Sequence, residues 1–294
     1  LILSSPFSRS AMALSLATVT PLSFHAPTPT RAARSTVRME SVKDLEVLAG
    51  KLNPAVGYYN PTSLAEMEFW GQTQEATIGF LRASEIKHGR VAMAAFVGYC
   101  VQSNGICFPW NLQAPYAGSP NLANLPAISF ADISAAGGPA DQWDALPSAA
   151  KLQILVFIGF LEMWSETSTV LKLDGEAHYV RGGKPGYFPK LSRNDDAAFP
   201  HPVPLNLWDP FGFTSKMSPE RKEKALLAEI NNGRLAQIGI IGMISASKGL
   251  QVPGLDSIAG IKPYAGEVMA PFASGDASLP FVAGMLKSVG TYGW

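Results

Sequence analysis

The strongest constraint on this chain is a charged motif written twice inside apolar sequence: Glu85-Ile-Lys-His-Gly-Arg-Val-Ala and Glu229-Ile-Asn-Asn-Gly-Arg-Leu-Ala. The copies share a second glycine, Gly98 and Gly242. Similar stretches precede them, Tyr58-Tyr59-Asn60-Pro61 in one and Leu207-Trp208-Asp209-Pro210 in the other. An internal repeat of this kind implies two equivalent units. On an α-helix, Glu and Arg at this spacing are separated by a rise of about 7.5 Å and lie about 140° apart around the axis, so they do not pair with each other. The economical arrangement is reciprocal: two helices crossed about a pseudo-twofold axis, with Glu85 meeting Arg234 and Glu229 meeting Arg90. Gly89 and Gly233 stand between the charges, where a missing side chain lets two backbones approach closely.

The repeats open the first and third of three apolar segments, about 85–103, 147–166 and 229–247. A membrane-spanning helix needs about 20 mostly apolar residues. Composition leans the same way: 16% of residues are charged and 47% hydrophobic, against about 25% charged in ordinary globular domains. The expected fold is therefore an all-α membrane protein with three transmembrane helices, the first and third crossed and pseudo-twofold related. The uncharged runs are too short to cross alone, so the flanking charges sit at membrane depth. There a lone charge costs at least about 2.5–3.5 kcal/mol, and such residues are characteristically paired and functional. In the middle segment Glu162, within Ile-Gly-Phe-Leu-Glu-Met-Trp, has no basic residue near it in its span. A role as a metal ligand justifies its burial.

The connection 104–150 contains no Lys or Arg, whereas 167–228 contains Lys172, Arg181, Lys184, Lys190, Arg193, Lys216, Arg221, Lys222 and Lys224. Positive charge marks the side from which a membrane protein is inserted, which puts the N-terminus and the second connection on one side. Both connections are rich in Pro and Gly, including Gly182-Gly183-Lys184-Pro185-Gly186-Tyr187-Phe188-Pro189, and are expected to be irregular and compact. The apolar stretch around Pro280–Val289 is too short to span and is expected to be an interfacial helix. Residues 1–39 carry Arg9, Arg31, Arg34 and Arg38 and no acid before Glu40. This composition marks residues 1–40 as an organelle-targeting transit segment, incomplete at its start for want of an initiating Met, ahead of a domain at 41–294. Cys100 and Cys107 are too few for a disulfide framework and are expected to be buried thiols.

Within each motif a neutral donor lies three residues beyond the Glu, on nearly the same helix face: His88 in one copy and Asn232 in the other. Glu85 and Glu229, neutralised by their Arg partners, each keep one oxygen for a further bond. With Glu162 and Gln153 these form a set of candidate ligands for a hard cation such as magnesium, which accepts oxygen readily. His178 and His201, in the long loop near Arg181 and several prolines, are expected to be solvated.

The two motifs at this separation, with Gly-Phe-Leu-Glu-Met-Trp between them, resemble the light-harvesting chlorophyll-binding family over roughly residues 45–250. The Tyr58–Pro61 and Trp208–Phe213 stretches and the Gly-Gly-Lys-Pro-Gly-Tyr-Phe-Pro loop resemble its chlorophyll a/c branch, the fucoxanthin- and peridinin-chlorophyll proteins. The resemblance implies that Glu85, His88, Glu162, Glu229 and Asn232 each hold a chlorophyll magnesium. It also implies two carotenoids (fucoxanthin, peridinin or a related xanthophyll) in grooves of the crossed helices lined by Phe96, Gly98 and Gly242. The pigments are then chlorophyll a, chlorophyll c and carotenoid, the address is the plastid thylakoid membrane with a stromal N-terminus, and the partners are a photosystem core and other antenna subunits. Two ligand positions of many relatives have no counterpart: Ala246 stands where they carry Gln, and no His follows His201.

The balance of 23 basic against 23 acidic residues offers nothing to nucleic acid. No phosphate loop, nucleophile triad or zinc-protease motif argues for catalysis. The competing readings are a photoprotective quencher sensing acid through Asp132, Asp141 and Asp144, a haem protein, and a transporter. The haem reading wants two intramembrane histidines where only His88 qualifies, and three spans are few for a transporter.

Overall fold

The computed structural model describes residues 40–118, 120, 123–189, 209, 211–248, 261, 264, 266 and 270–291. The expected targeting segment, apart from Glu40, and His201, Leu207 and Trp208 lie outside these residues. Helix α1 (Val42–Leu52) opens with Ser41, whose backbone N–H and hydroxyl both donate to the Asp44 carboxylate, at 2.9 and 2.7 Å. This ties off an otherwise orphaned donor of the first turn. Helix α2 (Gln74–Ser103) is capped by Thr73, whose hydroxyl accepts from the Ala76 N–H at 3.3 Å. It stops at Asn104 and Gly105, the latter at φ +69°, where the missing Cβ permits the left-handed turn. A short antiparallel pair, β1 (Asn111–Gln113) and β2 (Ile128–Ser129), then leads into α3 (Phe130–Ala135) and α4 (Pro139–Asp144).

Helix α5 (Ser148–Glu166) follows Pro147, and α6 (Ser168–Leu173) continues from it after a break at Thr167. Helix α7 (Pro219–Ser247) begins with Ser218 as cap and Pro219 in the first turn, where proline's missing N–H costs nothing. Helix α8 (Val282–Thr291) accounts for the C-terminal apolar stretch; Val282 is fully buried and Phe281 meets Phe272 edge-on.

Helices α2 and α7 each start about three turns ahead of the apolar segments expected from hydropathy. The early turns, such as Pro219-Glu-Arg-Lys-Glu-Lys, are polar helix formers with good caps, so the helix continues where the apolar pattern does not. Among the described residues α5 is the one helix long and apolar enough to cross a membrane by length and composition; α2 and α7 carry the charges of the repeat.

The principal packing of the molecule is α2 on α7, while α5 makes no comparable contact with either. A Cβ built on Gly89 would lie 3.0 Å from the Gly233 Cα, and one on Gly233 would lie 3.0 Å from the Gly89 Cα. The two glycines are thus the crossing point, approached alike from both sides. Gly98, by contrast, faces open space.

The side chains of α5 are largely exposed from Ile154 to Phe160, and the helix is held at its ends. At the start, Lys151 is fully buried, with Nζ 2.5 Å from the Asp276 carboxylate and 3.2 Å from the Asp144 carbonyl; Ser148 donates to the other Asp276 oxygen at 2.5 Å. At the finish, Trp164 packs on Val170, Leu161 and Phe188.

Candidate functional site

Both reciprocal pairs stand at the α2–α7 crossing. Arg90 Nε donates to Glu229 at 2.6 Å, and Arg234 Nε donates to Glu85 at 2.6 Å. Each of these bonds engages one oxygen of its carboxylate. One further cation attends the site, and Arg90 makes a second bond. Arg82, one turn before Glu85, brings Nη1 to 3.6 Å of its second oxygen while its Nε reaches Glu40 at 3.1 Å. Arg90 Nη1 donates to the Gly186 carbonyl at 2.7 Å.

That last bond fastens the connection between α5 and α7 onto α2. The turn Tyr179–Arg181 lies so close to α2 that a Cβ on Gly79 would come within 2.4 Å of the Tyr179 carbonyl oxygen. Gly186 sits at φ +76° with Ile86 against it. The sequence pattern contains no hint of the role of Gly79, because a helix-interior glycine is explained only by what presses on it.

His88 is exposed on α2, with Nδ1 2.8 Å from the Ser84 carbonyl. In that geometry the proton belongs on Nδ1, which leaves the Nε2 lone pair free to ligate. Asn232 and Gln153 are exposed on α7 and α5. The three donors stand on outward helix faces, where a flat ring can approach from the side.

Glu162 corrects an expectation. Its charge is compensated after all, by Lys87 of α2, whose Nζ lies 2.6 Å from Glu162 and 2.9 Å from Glu166. Lys87 comes from the first helix, so inspection of the middle span could not find it; the one available signal was its place between Glu85 and His88.

His178 departs from its expected solvated state as well. It is half-buried, packs its ring at a tilt against Tyr179 with centroids 4.1 Å apart, accepts the Val180 N–H at Nδ1 (3.3 Å), and points Nε2 at Glu166 from 3.8 Å. Burial, with Arg181 adding to it, pushes its pKa below the ordinary histidine value against the opposing pull of Glu166. Tyr179 donates to Glu166 at 3.1 Å, and burial followed by that carboxylate pushes its phenol up to about 12. It is a permanent neutral donor.

The acids of the first connection are engaged, Asp132 and Asp141 locally and Asp144 by a distant residue. Asp132 closes a capping box with Ser129, whose hydrogen bonds hold its carboxyl below the usual range. Asp141 accepts from the Gly138 N–H, and Asp144 from the Tyr264 hydroxyl. Cys107 is exposed and Cys100 partly so, contrary to the buried pair expected; the left-handed turn at Gly105 carries Cys107 off the helix.

A cavity of about 470 Å³ opens beside the Glu85–Arg234 pair, between α1, the 58–65 stretch and α2. Its walls are apolar, including Leu45, Leu48, Leu52, Ile78 and Leu81. Tyr58 Oη and Asn60 Nδ2 line it buried and without a hydrogen-bond partner, and Arg82 Nη1, also buried there, has the Glu85 carboxylate at 3.6 Å. Buried orphan donors are costly and call for acceptors. A large apolar ring carrying carbonyl oxygens and a metal in need of one axial ligand fits this combination of wall, donor and carboxylate.

A family model described as chlorophyll A-B binding protein matches residues 45–248. The chloroplastic fucoxanthin-chlorophyll a-c binding protein of Trieres chinensis is 32% identical over 191 residues, covering 65% of this chain and 73% of that protein. Protein F of the same name from Phaeodactylum tricornutum is 31% identical over 218 residues, 74% of this chain and 86% of its own length. Protein A from Macrocystis pyrifera is 31% identical over 224 residues, 76% and 81% respectively.

Proposed function

This chain belongs to the chlorophyll A-B binding protein family, and from that membership we propose a three-span thylakoid antenna whose crossed α2 and α7, with α5 beside them, hold pigments for excitation transfer to a photosystem. It is a light-harvesting, chlorophyll-binding protein of the fucoxanthin-chlorophyll a/c kind, with chlorophylls a and c and fucoxanthin as its pigments. The bound pigments absorb light and pass the excitation on.

The chain's own residues bind and orient. Glu85 and Glu229 would hold chlorophyll magnesium at the crossing, each offering an oxygen of a carboxylate whose charge an Arg of the other helix cancels, so the assembly would be neutral at membrane depth. His88 offers Nε2, Asn232 and Gln153 offer amide oxygens, and Glu162 offers a carboxylate balanced by Lys87. Rigidity follows from the construction, since the ligand-bearing helices touch at Gly89 and Gly233 and cannot slide without breaking an ion pair. Residues 1–40 are the plastid-targeting segment, 41–294 the pigment-binding domain, and the N-terminus and the 167–228 connection face the stroma.

The observation that carries this reading is the reciprocal Glu–Arg pairing, at 2.6 Å on both sides. It solves the problem of buried charge while leaving ligand capacity on both helices. The test is the absorption and fluorescence-excitation spectrum of the native protein purified in mild detergent, followed by pigment extraction. Chlorophyll emission sensitised by bound carotenoid is expected, and His88→Ala and Glu162→Leu are each expected to lower the chlorophyll count by one. A haem spectrum or no chromophore would sink the reading.

A further inference from the structure

A second cavity of about 470 Å³ lies where the far ends of α2 and α7 meet α4, well away from the charged motifs. The face of α2 that borders it carries Ala95, Gly98, Tyr99 and Gln102, spaced as one helical stripe, and Trp143 and Ile244 stand among its other walls. The lining is largely apolar, and the size suits a small organic ligand.

Most polar groups of the lining are already engaged. Asp144 accepts from the Tyr264 hydroxyl, the Trp143 indole donates to the Pro271 carbonyl at 3.0 Å, and Ser247 donates to the Ile244 carbonyl at 2.8 Å. Two groups are not. Tyr99 is 8% exposed, and its hydroxyl is buried with no hydrogen-bond partner; a phenol left so costs about 1–3 kcal/mol unless something else completes the bond. One turn further on, the side-chain amide of Gln102 is exposed and has no partner among the described residues. Its backbone, by contrast, is held: Gln142, itself 4% exposed, donates from Nε2 to the Gln102 carbonyl at 3.0 Å and to the Gly137 carbonyl at 3.1 Å. Helix α2 thus ends in a fixed backbone that carries a free amide.

We propose that Gln102 is the axial ligand of a further chlorophyll at this end of α2, its amide oxygen on the magnesium and the Tyr99 hydroxyl bonded to a carbonyl oxygen at the edge of the ring. The proposal rests on the pigment-binding reading above and adds a site to it. The two side chains offer one acceptor and one donor on a single apolar helix face. A magnesium macrocycle uses both, since the hard cation takes an amide oxygen and the ring presents carbonyl oxygens at its rim; a polyene pigment has no metal and leaves the amide without a role. By helical rise Gln102 lies about 25 Å beyond Glu85, against a hydrocarbon thickness of about 30 Å, so α2 carries ligands toward both membrane surfaces. The duplicated motif does not repeat this feature. The residue of α7 in register with Gln102 is Ala246, so the site belongs to the first copy alone and breaks the pseudo-twofold symmetry of the helix pair.

Gln102→Leu removes the ligand at similar size, and Gln102→His replaces it with another neutral one. The full chain and its variants are reconstituted with chlorophylls a and c and fucoxanthin, and the pigments are counted per polypeptide. Gln102→Leu is expected to lose one chlorophyll and no carotenoid, and Gln102→His to regain it. Tyr99→Phe is expected to keep the chlorophyll count and to raise the frequency of one carbonyl stretch in the resonance Raman spectrum, the mark of a hydrogen bond removed. An unchanged chlorophyll count in Gln102→Leu would overturn the assignment. Loss of carotenoid in place of chlorophyll would give the cavity to a carotenoid and overturn it too, and a loss that Gln102→His does not restore would make the glutamine a packing residue with the same result. An original chain that takes up no chlorophyll at all defeats the parent reading, and this site with it.

Discussion

Arg90 shows how much one side chain carries here. It holds Glu229 at 2.6 Å and the Gly186 carbonyl at 2.7 Å, so a single guanidinium joins α2, α7 and the connection before α7. Removing one partner of a largely buried pair strands the other charge, at a typical cost of 3–5 kcal/mol. Arg90→Leu is expected to destabilise the pigmented protein by roughly that amount, measured as the midpoint of denaturant-induced loss of carotenoid-to-chlorophyll transfer. Arg90→Lys keeps the charge but loses the fork geometry that reaches both acceptors; it should fall between the two.

His178 makes a different kind of prediction. Its pKa in the folded protein lies below the value of 6.5 it starts from, because burial and Arg181 outweigh Glu166. A group whose folded pKa is depressed contributes stability that is fully present above the unfolded value and is lost as pH falls through the folded one. Proteolytic resistance of the 178–188 connection should therefore decline as pH drops below about 6.5, and His178→Gln should flatten that decline. An unchanged pH profile in the variant would show that the protection has another source.

Between elements, the decisive contacts are few and of two kinds. The glycine crossing sets the distance between α2 and α7. A methyl group on Gly233 would meet the Gly89 Cα at 3.0 Å, closer than carbon atoms normally stand, and backbone on both sides leaves little to yield. Gly233→Ala is expected to cost about 1–3 kcal/mol, the usual range for overpacking, whereas Gly98→Ala, with open space before it, should leave the helix pair intact. Thermal unfolding followed by circular dichroism separates the two.

The other contact is the latch on α5. Lys151 has no exposed surface and meets Asp276, itself 4% exposed. Burial works against ionisation of this carboxyl, but Lys151, the Ser148 hydroxyl and the Ala273 N–H together hold it below the ordinary aspartate range. Its contribution is present above that range and is lost only as pH falls through the depressed value, so milder acidification leaves the latch closed. Asp276→Asn should destabilise by about 3 kcal/mol or more, and adding Lys151→Met should recover part of the loss. Simple additivity of the two substitutions would show the pair to be uncoupled.

Taken whole, the molecule is unevenly built. Helices α2 and α7 are locked together by glycine contact and two ion pairs, while α5 is fastened at its ends and makes little protein contact between them. In the proposed antenna, pigments fill the space alongside α5 and supply the packing that protein does not. Spin labels at the exposed positions Val156 on α5 and Val97 on α2 should give a narrow distance distribution in the pigmented protein and a broad one after pigment extraction. A pair between α2 and α7 should stay narrow in both. If α5 remains as well ordered without pigment, its end attachments alone position it.

Reciprocal pairing was legible in the residues themselves, because Glu and Arg five places apart on one helix cannot meet, two buried charges cannot go unpaired, and a duplicated motif supplies the only symmetrical partner. The close-packing glycines between the charges were legible for the same reason, since they follow from helical spacing and the cost of burying charge; of the three apolar segments, α5 is the one that, among the described residues, is long and apolar enough to cross a membrane. What required the tertiary structure were partners with no local pattern to announce them. Lys87 compensating Glu162, Asp276 closing on Lys151, the Tyr179 backbone pressing on Gly79 and the unsatisfied Tyr99 hydroxyl all depend on segments far apart in the chain meeting in space. Periodicity reports which face of a helix is apolar, but the identity of the group across from a side chain is decided only when the helices have packed.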